Sequence, residues 1–468
     1  MENIKKQPIL KIPAKASVWY IGSGGVARAI GALSTPIFTR LLTPEEYGLY
    51  PLYNSWIGVL SVLITLELTG SAIYRGFQKH ENKEEFTGAI LGLLGTVFVS
   101  FCALYFAFYN VIGKYTGLSL PVSILMFTQI FASSVVTLYL ARARFEYKYK
   151  AVAALNLISA LFIPLSAIAI ILTLGIKAEA RIYASSITTA LISIPIIIMI
   201  LKRSDKLYSR EIWKYMLRRS IPLLPHYFAT ALILKSAEIS IGRSHGSESL
   251  GQYSIAVSVG MILTIVTGGL ISALSPWIIR KIQEDDVDKI RDFLLLITRT
   301  LSLLSLVILA VAPELLAFLA AEGFREALPA IYPLEIAVVF SFLSGSLISA
   351  CSYYERSGMS SLPSIAAATV SVVLAFFVLP KVDYRFAGIF VLVSYLIMAL
   401  LASLVFKRLS GNPLVNLRKS TLILLLTMAY AAVLFAFRDV ILSRIFLALP
   451  LVPLLLFCAR DIWVKIRE

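Results

Sequence analysis

Fourteen times along this chain the sequence runs apolar for about 20 residues, and a short, mostly basic connection follows each run. A helix of that length rises about 30 Å, the thickness of a bilayer's hydrocarbon core. Inside hydrocarbon the backbone finds no water to bond, so a spanning segment must satisfy its N–H and C=O groups within its own helix. The blocks lie near 16–40, 48–72, 87–109, 120–141, 151–174, 180–201, 220–241, 251–279, 293–312, 332–354, 362–380, 385–406, 419–437 and 444–460. They predict an all-α polytopic membrane protein with about 14 transmembrane helices. Of the 468 residues 58% are hydrophobic and 15% charged, more apolar side chain than a water-soluble core of this size absorbs.

Several function classes fall away. The three cysteines (Cys102, Cys351, Cys458) sit in or beside apolar runs and give no disulfide framework. His80, His226 and His245 are scattered, with no His/Cys spacing for a metal. Gly22-Ser-Gly-Gly25 lacks the Lys-Ser/Thr of a phosphate-binding loop, so no ATP site is expected. No cofactor is called for. The formal charge of +16 is spread over short loops rather than gathered in a basic domain, which argues against nucleic acid.

The same charge orients the chain. With both termini in the cytoplasm, inside segments hold 30 of the 43 Lys and Arg, outside segments hold 10, and Arg28, Lys235 and Arg299 fall within spans. That bias predicts a plasma (inner) membrane protein with N- and C-termini cytoplasmic. Lys5, Lys6, Lys11 and Lys15 precede the first block as in a signal peptide, but Arg28 interrupts the run and no small-residue cleavage site closes it, so the first block reads as an uncleaved span. The longest outside segment, about 313–331, is apolar enough for a small interfacial helix.

One turn is used twice. Arg40-x4-Glu45-x2-Gly48-x-Tyr50 recurs as Arg243-x4-Glu248-x2-Gly251-x-Tyr253, on equivalent outside turns six spans apart. Read physically, a helix ends, Glu opens the next one where the dipole favours an anion, Gly allows close packing and Tyr sits at the interface. The repeat predicts two six-helix bundles, 16–201 and 220–406, related by a pseudo-two-fold along the membrane normal. The 419–460 hairpin stands outside them. Paired bundles of this kind are typical of transporters that rock around a shared site.

The stretch Pro36-Ile-Phe-Thr-Arg-Leu-Leu-Thr-Pro-Glu-Glu-Tyr-Gly-Leu-Tyr50 closely resembles the first-turn signature of the Wzx-type polysaccharide flippases. These belong to the MOP superfamily, with the MATE drug exporters and the lipid II flippases. Ser220-Ile-Pro222-Leu-Leu-Pro225 is similar to the same family's entry into helix seven. Late in that helix members often carry Asp-Arg, where this chain has Glu238-Ile239. The resemblance implies a polyprenyl-diphosphate-linked oligosaccharide as substrate, carried from the cytoplasmic to the outer leaflet for surface polysaccharide assembly. It also implies membrane lipids, a polysaccharide polymerase and glycosyltransferases as partners, and proton or sodium coupling. Such a substrate needs help, because burying unpaired polar groups in hydrocarbon is costly.

Ionisable groups within spans are then the candidates. Arg28, three residues after Gly25, is read as a cation for the diphosphate or as an ion-pair partner of Glu67. Lys235 and Glu238 share a face at i, i+3, either neutralising each other or splitting into a head-group contact and a coupling carboxylate. Arg299, two turns into its helix, either joins the cationic lining or snorkels. Glu67, Glu238 and His226 are the candidates for coupling or counter-ion roles. The prolines Pro164, Pro195, Pro222, Pro225 and Pro363 mark kinks, and Gly88-x3-Gly92 offers a close-packing face.

Three rival readings follow from the same residues. A multidrug exporter for cationic drugs calls for an acidic interior, whereas the spans lean basic. A membrane polymerase or transferase needs an acid and base with a sizeable outside loop, and a channel wants rings of like charge or a filter. Neither pattern is present in the sequence, and no catalytic residue is nominated.

Overall fold

The computed structural model describes residues 11–354 and 357–467. Lys5, Lys6 and Arg356, counted above on the inner side, lie outside them. Among the described residues the first unit holds α1 Lys11–Leu41, α2 Pro44–Thr65, α3 Ser71–Lys79, α4 Lys83–Ala107, α5 Tyr109–Thr116, α6 Leu120–Phe145, α7 Tyr149–Leu174, α8 Ala180–Arg203 and α9 Arg210–Ser220. Then α10, Leu224–Ser244, crosses from one compact unit to the next, the division falling between Tyr227 and Phe228. The second unit continues with α11 Gly246–Gly260, α12 Thr264–Gln283, α13 Val287–Ala310, α14 Ala312–Leu319, α15 Leu328–Ser352 and α16 Ser357–Val373. It closes with α17 Ala387–Ser410, α18 Leu417–Ala436, α19 Ile441–Ala448 and α20 Leu451–Arg467.

Each of the fourteen apolar blocks falls on helical structure, and among the described residues eleven helical segments are long and apolar enough to cross a membrane. The chain is a multi-span helical membrane protein. Several blocks depart from a single straight span, two of them in ways that bear on the sequence reading. The block at 251–279 is two helices, because α11 stops at Gly260 and α12 starts at Thr264. The block at 48–72 ends early: α2 stops at Thr65, and Leu66 and Glu67 both turn left-handed at φ 48° and 50°. Two consecutive non-glycine residues in that region store strain.

Local chemistry explains the helix ends. The Thr43 backbone N–H donates to Glu46 Oε2 (2.9 Å) and the Glu46 N–H donates to Thr43 Oγ1 (3.2 Å), a complete capping box with Pro44 in the first turn. This cap fixes the turn between α1 and α2, and α11 likewise begins directly after α10, so both copies of the repeated motif sit at helix-to-helix turns. Of their tyrosines, Tyr253 is 1% exposed, packed inside the second unit, and Tyr50 is half-buried. Gly175, at φ +68°, ends α7 and lets the chain re-enter as α8.

In the first unit, Phe77, Phe86, Ile90, Leu138 and Met216 form a core among α3, α4, α6 and α9. The face Gly88-x3-Gly92 receives a loop rather than a helix: side-chain atoms on these glycines would overlap Ser204 and the Leu207 carbonyl. Above this core, Gln129 Oε1 on α6 accepts from the Tyr53 hydroxyl (2.8 Å) and from Ser185 and Ser186 (each 3.1 Å), tying α2, α6 and α8 together.

In the second unit α15 is central, packed against α11, α12, α13 and α17. The helices after Leu417 dock on α13 and α15. Their anchor is Arg444, 5% exposed, which forks onto both oxygens of Glu314 (2.6 Å each) and donates to the Ala310 carbonyl (2.7 Å). The Arg444 hydrogen bond holds the Glu314 carboxyl below the usual carboxylate range. Replacing Glu314 leaves a buried guanidinium without its partner, so Glu314→Ala should cost about 2–3 kcal/mol, read as a lowered thermal midpoint in detergent. Glu326→Ala, which breaks an exposed pair with Arg385, should cost under about 1 kcal/mol. A depressed carboxyl stabilises above its unfolded value of about 4.3, and the contribution fades as pH falls through the lower folded value. The gap between native protein and Glu314→Ala should therefore close on acidification below about pH 4.

Candidate functional site

A cavity of about 390 Å³ runs along the seam of α1 and α7 in the first unit, within the usual range for small-molecule pockets. Ala27, Gly31, Ser34 and Phe38 line it from α1, and Asn156, Ser159, Ala160, Ile163, Pro164 and Ala167 line it from α7. Both helices run the same way, so these positions pair in register at successive turns. Small residues hollow the seam. Tyr50 and Arg181, from the starts of α2 and α8, close one end.

Among the described residues that line the cavity, Arg181 alone is charged. Its guanidinium carbon lies 4.1 Å from the Tyr50 ring centroid, 4.5 Å from that of Tyr47 and 4.9 Å from that of Phe38. Three aromatic faces hold the cation by their quadrupoles without neutralising it. Its Nη1 is buried, and among the described residues no hydrogen-bond acceptor meets it. The Gln129 knot lies one turn along both supporting helices, with Tyr53 following Tyr50 on α2 and Ser185 following Arg181 on α8. The cage is thereby held in place from below.

The opposite wall supplies neutral polar groups. Pro164 has no N–H to give the Ala160 carbonyl, which leaves that oxygen without its helical donor. Asn156 and Ser159 stand on the same wall. A guanidinium with an unused edge, together with amide, hydroxyl and carbonyl groups, suits an anionic group carried on a hydroxylated body.

Elsewhere the structure sorts the candidates read from sequence. Lys235 Nζ donates to both Glu238 oxygens at 2.9 Å, with Glu238 buried and Lys235 half-buried. This pair lies on a hydrogen-bonded seam to α16: the Ser236 and Ser371 hydroxyls are 2.9 Å apart, and Ser240 donates to the Ala375 carbonyl in the π-helical turn Leu374–Val378. His226 is half-buried in the first turn of α10, its ring 5.6 Å from that of Tyr227. Arg299 is half-buried on α13.

Arg28 is exposed on α1, next to the cavity-lining Ala27, while Glu67 is half-buried beyond the end of α2. Among the described residues no ion pair joins them. The reason is depth. From the α1–α2 turn, Arg28 lies about 20 Å along one helix and Glu67 about 33 Å along the other. In sequence, the neighbours of Arg181 mark it as an ordinary loop cation, which hides its place at the cavity. The available signal was the pair Tyr47 and Tyr50, set at i, i+3 inside the first-turn motif.

Residues 14–282 match the model of a family described as polysaccharide biosynthesis protein. Among solved structures the chain is similar to the lipid II flippase MurJ in an inward-closed conformation, at 13% identity and a TM-score of 0.65, covering 96% of this chain and 100% of that one. It is similar to an outward-facing multidrug resistance MATE family transporter of the MOP superfamily, at 16% identity and a TM-score of 0.59, covering 87% and 99%. It also matches a MOP superfamily transporter from Pyrococcus furiosus Vc1, for which a reversed polarity of the binding pocket suggests a different function, at 15% identity and a TM-score of 0.58, covering 86% and 99%. No curated protein sequence matches the chain. At these identities the shared property is the fold.

The cage makes a direct prediction. Tyr50→Leu keeps apolar volume but removes a ring face, and should cost about 1 kcal/mol. In a double-mutant cycle read by unfolding in detergent, Tyr50→Leu and Arg181→Gln should couple by at least about 0.5 kcal/mol. Additive effects would contradict the cage.

Proposed function

The chain belongs to the polysaccharide biosynthesis protein family, and from that premise we propose that it is a flippase for a polyprenyl-diphosphate-linked oligosaccharide. It moves the head group from the cytoplasmic to the outer leaflet of the plasma membrane by alternating access, with both termini cytoplasmic. The observation that carries the reading is the α1–α7 cavity, whose one charged lining residue is a guanidinium held by aromatic rings instead of a carboxylate. Such a site attracts an anion, a phosphate or an acidic sugar, and repels the cationic drugs that an acidic pocket would take.

In this reading Arg181 is the principal anion contact, and Tyr50 and Phe38 offer stacking faces to a sugar ring. Arg28, Lys235 and Arg299 are further cations for the diphosphate, and Lys235 becomes available when Glu238 takes up a proton or a sodium ion. Glu67 and His226 are the remaining coupling candidates. The two six-helix halves, 16–201 and 220–406, supply the moving parts, with 419–460 as an appendage. A polymerase and glycosyltransferases act before and after the transfer. The protein performs no covalent chemistry.

The test is leaflet exposure in proteoliposomes. A fluorescent oligosaccharide-diphosphate-polyprenol is loaded in both leaflets and read with a membrane-impermeant quencher. Native protein should expose the protected pool. Arg181→Gln should slow that exposure at least about tenfold, since a charge-assisted contact is worth about 1.5–3 kcal/mol. Arg28→Ala should slow it less. If native protein exposes none of the pool under either a proton or a sodium gradient, and expels a cationic dye instead, the exporter reading replaces this one.

A further inference from the structure

The segment joining α8 to α10 carries seven Lys and Arg between Lys202 and Arg219, against Asp205 and Glu211, and all nine are exposed. Positive charge at an inner membrane surface is ordinary. Its setting here is not. The segment is fastened to α4: Ser204 and Leu207 press on Gly88 and Gly92, and the Trp213 indole donates to the Ala89 carbonyl at 2.9 Å. Ile212 and Met216 turn inward to the core, which leaves the basic side of α9 outward.

One turn beyond Gly92 the two backbones part. A side chain at Gly95 would meet open space, and there a groove of about 520 Å³ opens between α4 and the joining segment. Its floor is Gly95, Thr96 and Val99, and its head is Leu207, Tyr208 and Trp213. The Thr96 and Ser100 hydroxyls turn back onto the carbonyls of Gly92 and Thr96 (2.9 Å each), so the floor is apolar in effect. Leu207 and Tyr208 are 43% and 61% exposed at the rim. Beside them, Lys206 reaches Glu85 at 3.4 Å, while Arg210 has no acidic partner among the described residues.

We propose that this groove is a phospholipid site selective for an anionic head group. One acyl chain lies along α4 from Gly92 to Ser100, a rise of about 12 Å that fits within one leaflet's hydrocarbon depth of about 15 Å. The head-group phosphate sits at Lys206 and Arg210, with Tyr208 and Trp213 at the level where interfacial aromatics settle. The opening at Gly95, beside the close packing of the joining segment on Gly88 and Gly92, distinguishes the site from the lipid that coats any membrane helix. Bound lipid fastens the α8–α10 connection to α4. The proposal rests on membrane insertion alone and not on the cargo that the protein moves.

Native mass spectrometry of the detergent-purified protein, titrated with phosphatidylglycerol or phosphatidylcholine, tests it. Native protein should bind one phosphatidylglycerol about thirtyfold more tightly than phosphatidylcholine, the preference expected from two surface cations. K206Q/R210Q should abolish that preference. Gly95→Leu, which fills the groove and suits a helix, should weaken both lipids alike, and Arg75→Gln, exposed in α3, should change neither. Each variant's thermal midpoint is checked for folding. Equal affinity of native protein for the two lipids overturns the site, as does a preference that survives K206Q/R210Q or binding unchanged by Gly95→Leu. Displacement of phosphatidylglycerol by equimolar polyprenyl diphosphate also overturns it, making the groove a substrate entry instead.

Discussion

One amide oxygen organises the cavity end of the first unit. Gln129 offers its carbonyl to three hydroxyls, from Tyr53, Ser185 and Ser186, in surroundings where an unmet hydroxyl is costly. Because those donors come from two different helices, the bonds lock α2 against α8 in rotation as well as in depth. Tyr50 and Arg181, one turn away, inherit that register. The cavity wall on α7 is then set by packing of α7 on α1 and α8, and its polar character by Pro164, which frees a carbonyl.

What separates Arg181 from the ion-paired cations of the helices is the means of holding it. Arg142 is met by Glu84 and Glu146, Arg444 by Glu314, and Lys235 by Glu238. Those pairs are closed: attraction is spent within the protein, and breaking them leaves a charge unpaired. Aromatic faces hold Arg181 more weakly and leave its field directed into the cavity. A transporter needs this kind of contact, strong enough to attract an anion and weak enough to release it. The Lys235–Glu238 pair is closed in this way too, and it is seated where α10 bonds to the π-helical turn after α16. A π turn has surplus backbone to rearrange.

The sequence showed the fold through its apolar blocks, because hydrocarbon allows so few solutions that block length alone is informative. It also showed the i, i+3 pair on α10, since helical spacing brings those two side chains together without help from the rest of the chain. It hid features that depend on contacts distant in sequence. Nothing near Arg181 reveals that Tyr47, Tyr50 and Phe38 surround it. The left-handed turn at Leu66 and Glu67 carries no Gly or Pro, so nothing local in the sequence marks the end of α2 at Thr65. Gly88-x3-Gly92 was legible as a close-packing face, but only the folded chain shows that a loop occupies it.

The central claim is that the first unit's cavity receives the anionic part of a lipid-linked oligosaccharide. The most direct measurement is an electron cryo-microscopy structure of the protein with that substrate bound. Density for a phosphate or carboxylate is expected within about 3 Å of the Arg181 guanidinium, with a sugar ring against Tyr50 or Phe38. Substrate density that leaves the α1–α7 cavity empty, with Arg181 still facing only its three rings, would contradict it.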